Sequence, residues 1–195
     1  MPYDANNKHR RSIRLPDYDY STPGAYFVTI CTQNSMCAFG EIVNEEMQQA
    51  PAGEMVRYWW GEIPNKYLNV EIDDTFVIMP NHIHGTIIIR NVGADRCVCP
   101  SNENVSTNKS KKPGEHIGSP LQQVIQWYKT MTTNAYIHGV KESGWPPFEG
   151  KLWQRNYYEH VIRNDRELQR VREYIMLNPI RWALDKENPI NKAGI

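Results

Sequence analysis

The sequence predicts an α+β sandwich of ferredoxin/RRM-like type, an antiparallel sheet with helices on one face. Apolar β-branched runs alternate with segments of helical spacing in the order β-α-β-β-α-β-α, and 195 residues fit one domain with a core of its own. No internal repeat interrupts this order.

Ala25 to Thr32 (AYFVTICT), after the Pro23-Gly24 turn, is aromatic, β-branched and short, which predicts a buried strand. From about Asn44 to Ile63, Met47, Met55, Val56, Trp59 and Trp60 recur at helical spacing; Pro51 and Gly53 place the helix start near Ala52, and Pro64 closes it. Val70 to Met79 and His84 to Arg90 read as antiparallel neighbours joined at Pro80-Asn81. The stretch from about 91 to 120 is rich in Ser, Asn, Lys, Gly and Pro and reads as a flexible insertion. A second helix is expected from Leu121 to about His138, with Leu121, Val124, Ile125, Tyr128, Met131 and Ala135 on one face. A short strand within Leu152 to Ile162 and a helix from about Asp165 to Leu177, stopped by Pro179, complete the pattern.

Lys and Arg number 22 and Asp and Glu 22, so a generally basic, DNA-coating protein is excluded and any nucleic-acid contact must come from a local patch. The charge is uneven. Glu41 to Asp74 carries eight acidic residues against two basic ones, whereas Lys151 to Lys186 carries eight basic against five acidic. Lys8, Arg10, Arg11 and Arg14 form a basic N-terminal arm (about 1–20), a candidate for DNA phosphates, as are Lys109, Lys111 and Lys112. Apolar runs are too short to span a bilayer and the polar start offers no secretory signal, so a cytoplasmic location is expected. Cys31, Cys37, Cys97 and Cys99 fit neither a disulfide framework nor C-x-x-C zinc spacing and read as reduced thiols.

The strongest local feature is Pro80-Asn81-His82-Ile83-His84-Gly85. On an extended backbone residues i and i+2 share a face, so His82 and His84 can aim two imidazoles at one point while Ile83 turns to the core. That is half of a metal site, and imidazole suits several divalent ions. Tyr174 and Asn178 stand one helical turn apart, with Leu168, Val171 and Ile175 as the core-facing stripe beside them. Asn178 can offer an oxygen ligand to a hard cation. Between these features, Gln154, Asn156, Tyr158 and His160 share one face of an extended segment, opposite Arg155, Tyr157 and Glu159. Gln154 and His160 are candidates to support a site. Tyr157 and Tyr158 rival Tyr174 as nucleophiles by composition, and Trp127, Tyr128 and Trp145 are candidates for base stacking or for the core.

Phe76 to Gly85 followed by Ile87 to Ile89, Trp153-Gln154 through Glu159-His160 to Arg163, and Glu173 to Pro179 together resemble the single-tyrosine HUH transposases, in particular the REP-associated tyrosine transposase branch. The resemblance covers roughly Arg14 to Asp185. It implies the HUH endonuclease fold, with His82 and His84 as ligands of a divalent metal (Mg²⁺ or Mn²⁺), Tyr174 as nucleophile and Asn178 at the position of a third ligand. It further implies cleavage and strand transfer of single-stranded or hairpin DNA through a 5′-phosphotyrosine, by a monomer or homodimer. The chemistry suits these residue types. A free tyrosine has a pKa near 10, so about one in a thousand is ionised at neutral pH, and its attack depends on a polarised phosphate. No Walker-type loop is present, in keeping with energy conserved in the covalent link. Two other classes remain open: a catalytically idle DNA-binding regulator on the same scaffold, and a metal-dependent hydrolase without a covalent step.

Overall fold

The computed structural model describes residues 23–91 and 119–192. The basic arm from Lys8 to Arg14, nearly all of the insertion with its three lysines, and Cys97 and Cys99 lie outside the described residues.

The sheet has the strand order β4-β6-β1-β7, with β5 also pairing to β6. Strand β1 (Gly24–Cys31) and strand β6 (His82–Ile89) form its antiparallel centre, in a register that sets Phe27 opposite Thr86, Thr29 opposite His84 and Cys31 opposite His82. Strand β7 (Tyr158–Ile162) pairs with the outer side of β1. The expected Val70 to Met79 run divides into β4 (Val70–Ile72) and β5 (Val77–Met79), both antiparallel to β6. The break is an Asx-type turn, in which the Thr75 N–H donates to Asp73 Oδ1 at 3.0 Å.

Period-two alternation along β1 and β6 sorts their side chains onto two faces. Tyr26, Val28, Ile30, Ile83, Ile87 and Ile89 enter the main core, roofed by helix α1 (Pro51–Gly61) and helix α3 (Pro120–Ser143). Phe27 and Ile162 belong to the opposite face, where helix α4 (Asp165–Met176) seats Leu168, Val171 and Ile175 on them. The helices of one face are therefore α1 and α3, and α4 crosses the other because its only apolar stripe is complementary to that smaller patch. A short helix α2 (Ile63–Lys66) follows α1, and α5 (Pro189–Lys192) ends the described chain.

Several local expectations shift. The helix start expected near Ala52 is met within one residue, but the apolar spacing from Asn44 did not reveal the hairpin ahead of it, Gly40–Val43 (β2) and Glu46–Gln49 (β3), with Asn44 and Glu45 at positive φ in its turn. Pro51 then opens α1, where its missing N–H costs nothing. Along α3 the buried stripe runs through Leu121, Val124, Ile125, Tyr128, Thr132, Tyr136 and Gly139, so Met131 and Ala135 lie at its edge. Thr132 is tolerated there because its hydroxyl donates to the Tyr128 carbonyl at 2.8 Å and accepts from Trp153 Nε1 at 2.8 Å. Capping is regular: Ser119 and Gln122 form a capping box on α3, and Asn164 accepts from Glu167 N at the start of α4. Tyr128 is fully buried and Trp127 and Trp145 pack against the core, which assigns these aromatics to packing and not to base stacking.

Gly85 is required at the site strand because a Cβ there would lie 2.4 Å from Trp60 Cζ2 and 3.0 Å from Phe76 Cδ2. The Trp60 ring, stacked on Phe76 with centroids 4.7 Å apart, crosses β6 at this glycine. Gly85→Ala is expected to lower stability by about 1–3 kcal/mol through overpacking, read by urea denaturation.

Candidate metal and nucleophile site

His82 and His84 point to one spot, with their Nε2 atoms 3.0 Å apart. Both are almost fully buried. Their Nδ1 atoms are engaged behind the site, His82 with Asn81 Oδ1 at 2.8 Å and His84 with Thr29 Oγ1 at 2.8 Å. Such partners orient imidazole ligands and leave Nε2 toward the ion. Ile83 between them is buried in the main core, as strand alternation requires.

The third ionisable group is one the sequence did not point to. Asp185 Oδ2 lies 3.7 Å from His82 Nε2, and ligand atoms of His82, His84 and Asp185 all fall within 4.8 Å of one another. No motif surrounds Asp185; it follows the short 3₁₀ turn Trp182–Leu184, which returns the chain from the end of α4 across the mouth of the site. Trp182 meets the His82 ring at a centroid distance of 6.0 Å. Burial raises the Asp185 carboxyl above the usual range, although the Glu187 N–H donates to its Oδ1 at 2.8 Å and works against the rise.

The tyrosine helix arrives at the same place. Tyr174 and His84 have ring centroids 5.3 Å apart, and Phe27 underlies both, stacked on His84 at 5.5 Å and edge-on to Tyr174 at 5.8 Å. Tyr174 is 42% exposed, so its hydroxyl is open to a substrate. Asn178, 4% exposed, is anchored by Nδ2 donating to the Tyr174 carbonyl at 2.9 Å. The nearby Asn178 side chain favours the protonated form of His84 and lowers the pKa of Tyr174. For Tyr174 the larger effect is burial, which raises the phenol above its ordinary value and keeps it protonated at neutral pH.

The rival tyrosines occupy other roles. Tyr157 packs against the main core beneath Lys129. Tyr158 is half exposed on the site face of β7, 6.3 Å from Phe27. Gln154, Asn156, Tyr158 and His160 line a cleft of about 670 Å³ with His84 and Tyr174, but so does Tyr157, because only Tyr158–Ile162 is strand and the expected alternation does not extend back to Gln154. His160 Nε2 pairs with Glu167 Oε1 of α4 at 2.7 Å, and Gln154 Nε2 donates to the Thr32 carbonyl at 3.2 Å. A second tether holds α4 at its middle. Arg172 grips buried Asp73 through Nε at 3.2 and 3.1 Å, and although burial alone would raise the Asp73 carboxyl, hydrogen bonds from Arg172 and Thr75 hold it below its usual value.

The donor set fits a divalent cation. Two imidazole nitrogens at about 2.1 Å from one ion stand about 3 Å apart when adjacent in its coordination shell, matching the observed separation. Burial, helped by the charges of Lys192 and Lys186, pushes the His82 pKa down to about 3, and burial also holds His84 well below its ordinary value. Both rings are therefore neutral ligands at pH 7. In the metal-free protein the unfolded chain takes up protons below about pH 6.5 that folded His82 refuses until about pH 3. Stability in chelator is thus expected to fall across this window by about 1.4 kcal/mol per pH unit from His82 alone. Urea titrations should show a shallower loss in His82→Gln; identical slopes in the two proteins would contradict a buried neutral ring.

Among the described residues no helix is long and apolar enough to cross a membrane. No protein-family profile matches the chain. An uncharacterised protein of Haemophilus influenzae (strain ATCC 51907 / DSM 11121 / KW20 / Rd) is 39% identical over 188 residues, covering 94% of this chain and 96% of that one. Among solved structures, a REP-associated tyrosine transposase bound to a REP hairpin superposes with a TM-score of 0.51 at 17% identity, covering 89% of this chain and 77% of that chain. The chain belongs to one family with the Haemophilus protein, and its fold is that of the REP-associated tyrosine transposases.

Proposed function

We propose that this chain cleaves single-stranded DNA at hairpin or repeat sequences and transfers the cut strand through a covalent 5′-phosphotyrosine on Tyr174. A divalent ion, Mg²⁺ or Mn²⁺, would be held by His82 and His84 with an oxygen from Asn178 or Asp185. The observation that carries this reading is that an exposed phenol stands 5.3 Å, ring to ring, from a buried ligand pair within one chain. A regulator that only bound DNA would have no use for that pairing. The fold likeness to a transposase bound to hairpin DNA supports the same substrate class.

When bound, the ion would polarise the scissile phosphate and stabilise the departing 3′ oxygen. The chain's own residues account for the rest. Tyr174 attacks phosphorus, an O–P bond forms, the P–O3′ bond breaks, and the phenolic proton ends on the released 3′-hydroxyl by way of solvent. Because the phosphodiester energy is conserved, a second 3′-hydroxyl reverses the step at a new junction without ATP. Phe27 supports the tyrosine ring, and Asn178 is held beside it by its bond to the Tyr174 carbonyl. His160–Glu167 and Asp73–Arg172 fix α4 against its own sheet, which supports attack within one subunit.

Incubating the protein with hairpin DNA and Mg²⁺ or Mn²⁺ should give a covalent adduct on a denaturing gel, mapped to a peptide containing Tyr174. Tyr174→Phe is expected to abolish the adduct while retaining DNA and metal binding, and His82→Ala and His84→Ala to abolish cleavage with the fold retained. Free products without an adduct would select a hydrolase, and binding without reaction a regulator. Asp73→Asn leaves both imidazoles in place but weakens the grip on α4, so adduct formation should slow at least about tenfold with unchanged metal affinity by calorimetry. An adduct on Tyr157 or Tyr158 would overturn the assignment.

A further inference from the structure

The wall of the cleft opposite α4 is a short irregular segment, Gln154 to Asn156, between the Thr32 to Trp153 bridge and β7. Its three consecutive carbonyls turn toward one point and accept from Lys129 Nζ of α3 at 2.9, 3.4 and 3.1 Å. An ammonium carries three N–H donors, and these carbonyls engage all three. Lys129 therefore has no donor left for a phosphate. Its ammonium also lies 5.5 Å above the Tyr157 ring, and burial lowers its pKa to about 8. Burying a charge is costly, and a plain connection has no need of one.

Drawing three carbonyls inward turns the side chains of the segment outward. Gln154 and Asn156 both line the cleft, beside Tyr158 and within the same space as Tyr174 and His84. Gln154 is anchored on the Thr32 carbonyl. The Asn156 side chain is exposed, and no hydrogen bond to another described residue is formed by its amide. A carboxamide so presented offers one donor and one acceptor, the pattern that pairs bidentately with the adjacent donor and acceptor on the edge of an unpaired base, adenine among them. Half-exposed Tyr158 offers a ring on which a base can stack.

We propose that this Lys129-braced segment is a subsite for one unpaired nucleotide beside the scissile phosphate, its base read by Asn156 and stacked on Tyr158, with Lys129 as the positioning residue. The inference rests on the reading above that a DNA strand lies across Tyr174. Its test uses binding and not turnover. In the full-length Tyr174→Phe protein, fluorescence anisotropy compares single-stranded 12-mers of dA, dC, dG and dT with an abasic 12-mer over a range of salt.

The dA oligomer is expected to bind about tenfold tighter than the abasic one. Asn156→Ala should bring dA within about threefold of the abasic oligomer, and Lys129→Met should do the same, with abasic affinity and salt slope unchanged in both. A salt slope reduced by about one in Lys129→Met would make the lysine a phosphate contact and overturn its role. If Lys129→Met fails to fold, Asn156→Ala, an exposed change, decides alone. A dA preference retained there, or no base preference at all before mutation, rejects the subsite. A wild-type protein that prefers dA yet forms no adduct with hairpin DNA rejects the cleavage reading and leaves the subsite standing.

Discussion

The pairing of β1 with β6 in a single register is the constraint on which the rest of the molecule depends. It sets Thr29 beside His84 and Cys31 beside His82 on one face, and Val28, Ile30 and Ile83 on the other. A slip of one residue would turn both imidazoles into the apolar core and Ile83 into the site. The register is held because residues on both strands that face α1 and α3 are almost all apolar and fully enclosed, so every alternative buries a polar group without a partner.

On that platform the site is assembled from three parts of the chain that are distant in sequence. The strand supplies the imidazoles, α4 supplies Tyr174 and Asn178, and the returning turn supplies Asp185. Each part has its own fastening. Asn81 is central to the last of these: its Nδ2 donates to the Ser35 and Glu187 carbonyls at 3.3 and 2.7 Å, while its oxygen faces His82 Nδ1. One buried side chain thus couples the orientation of a ligand to the backbone that carries Asp185. The tyrosine helix is seated on its small apolar patch and oriented by the two polar tethers at Glu167 and Arg172.

The cysteines illustrate how environment sets reactivity. Cys31 lies opposite His82 on the neighbouring strand β1, yet burial pushes its thiol up to about 12 and leaves it inert beside the ligands. The imidazoles next to it are kept neutral by the same burial. A dry strand face therefore keeps both imidazoles neutral and suppresses a competing thiolate.

Much of this was determined by the sequence alone. Period-two spacing is a property of any extended backbone, so His82 and His84 had to share a face once their run was a strand, and the four-residue spacing of Tyr174 and Asn178 had to align them on a helix. Tyr158 and His160 share a face of β7 by the same alternation, which does not reach back to Gln154 and Asn156 in the irregular segment before it. Tertiary structure alone decided the rest. Asp185 reaches the histidines only because the chain reverses after α4, and a reversal leaves no periodic trace. The Asn44 to Gln49 hairpin escaped notice because its turn uses Asn44 and Glu45, lacking the glycine that marks such turns. The choice of Tyr174 over Tyr158 as the ring beside His84, and the brace of Lys129 on three carbonyls 25 to 27 residues away, depend on how α3 and α4 dock on the sheet. Local spacing fixes which side chains share a face, whereas long-range packing fixes which faces meet.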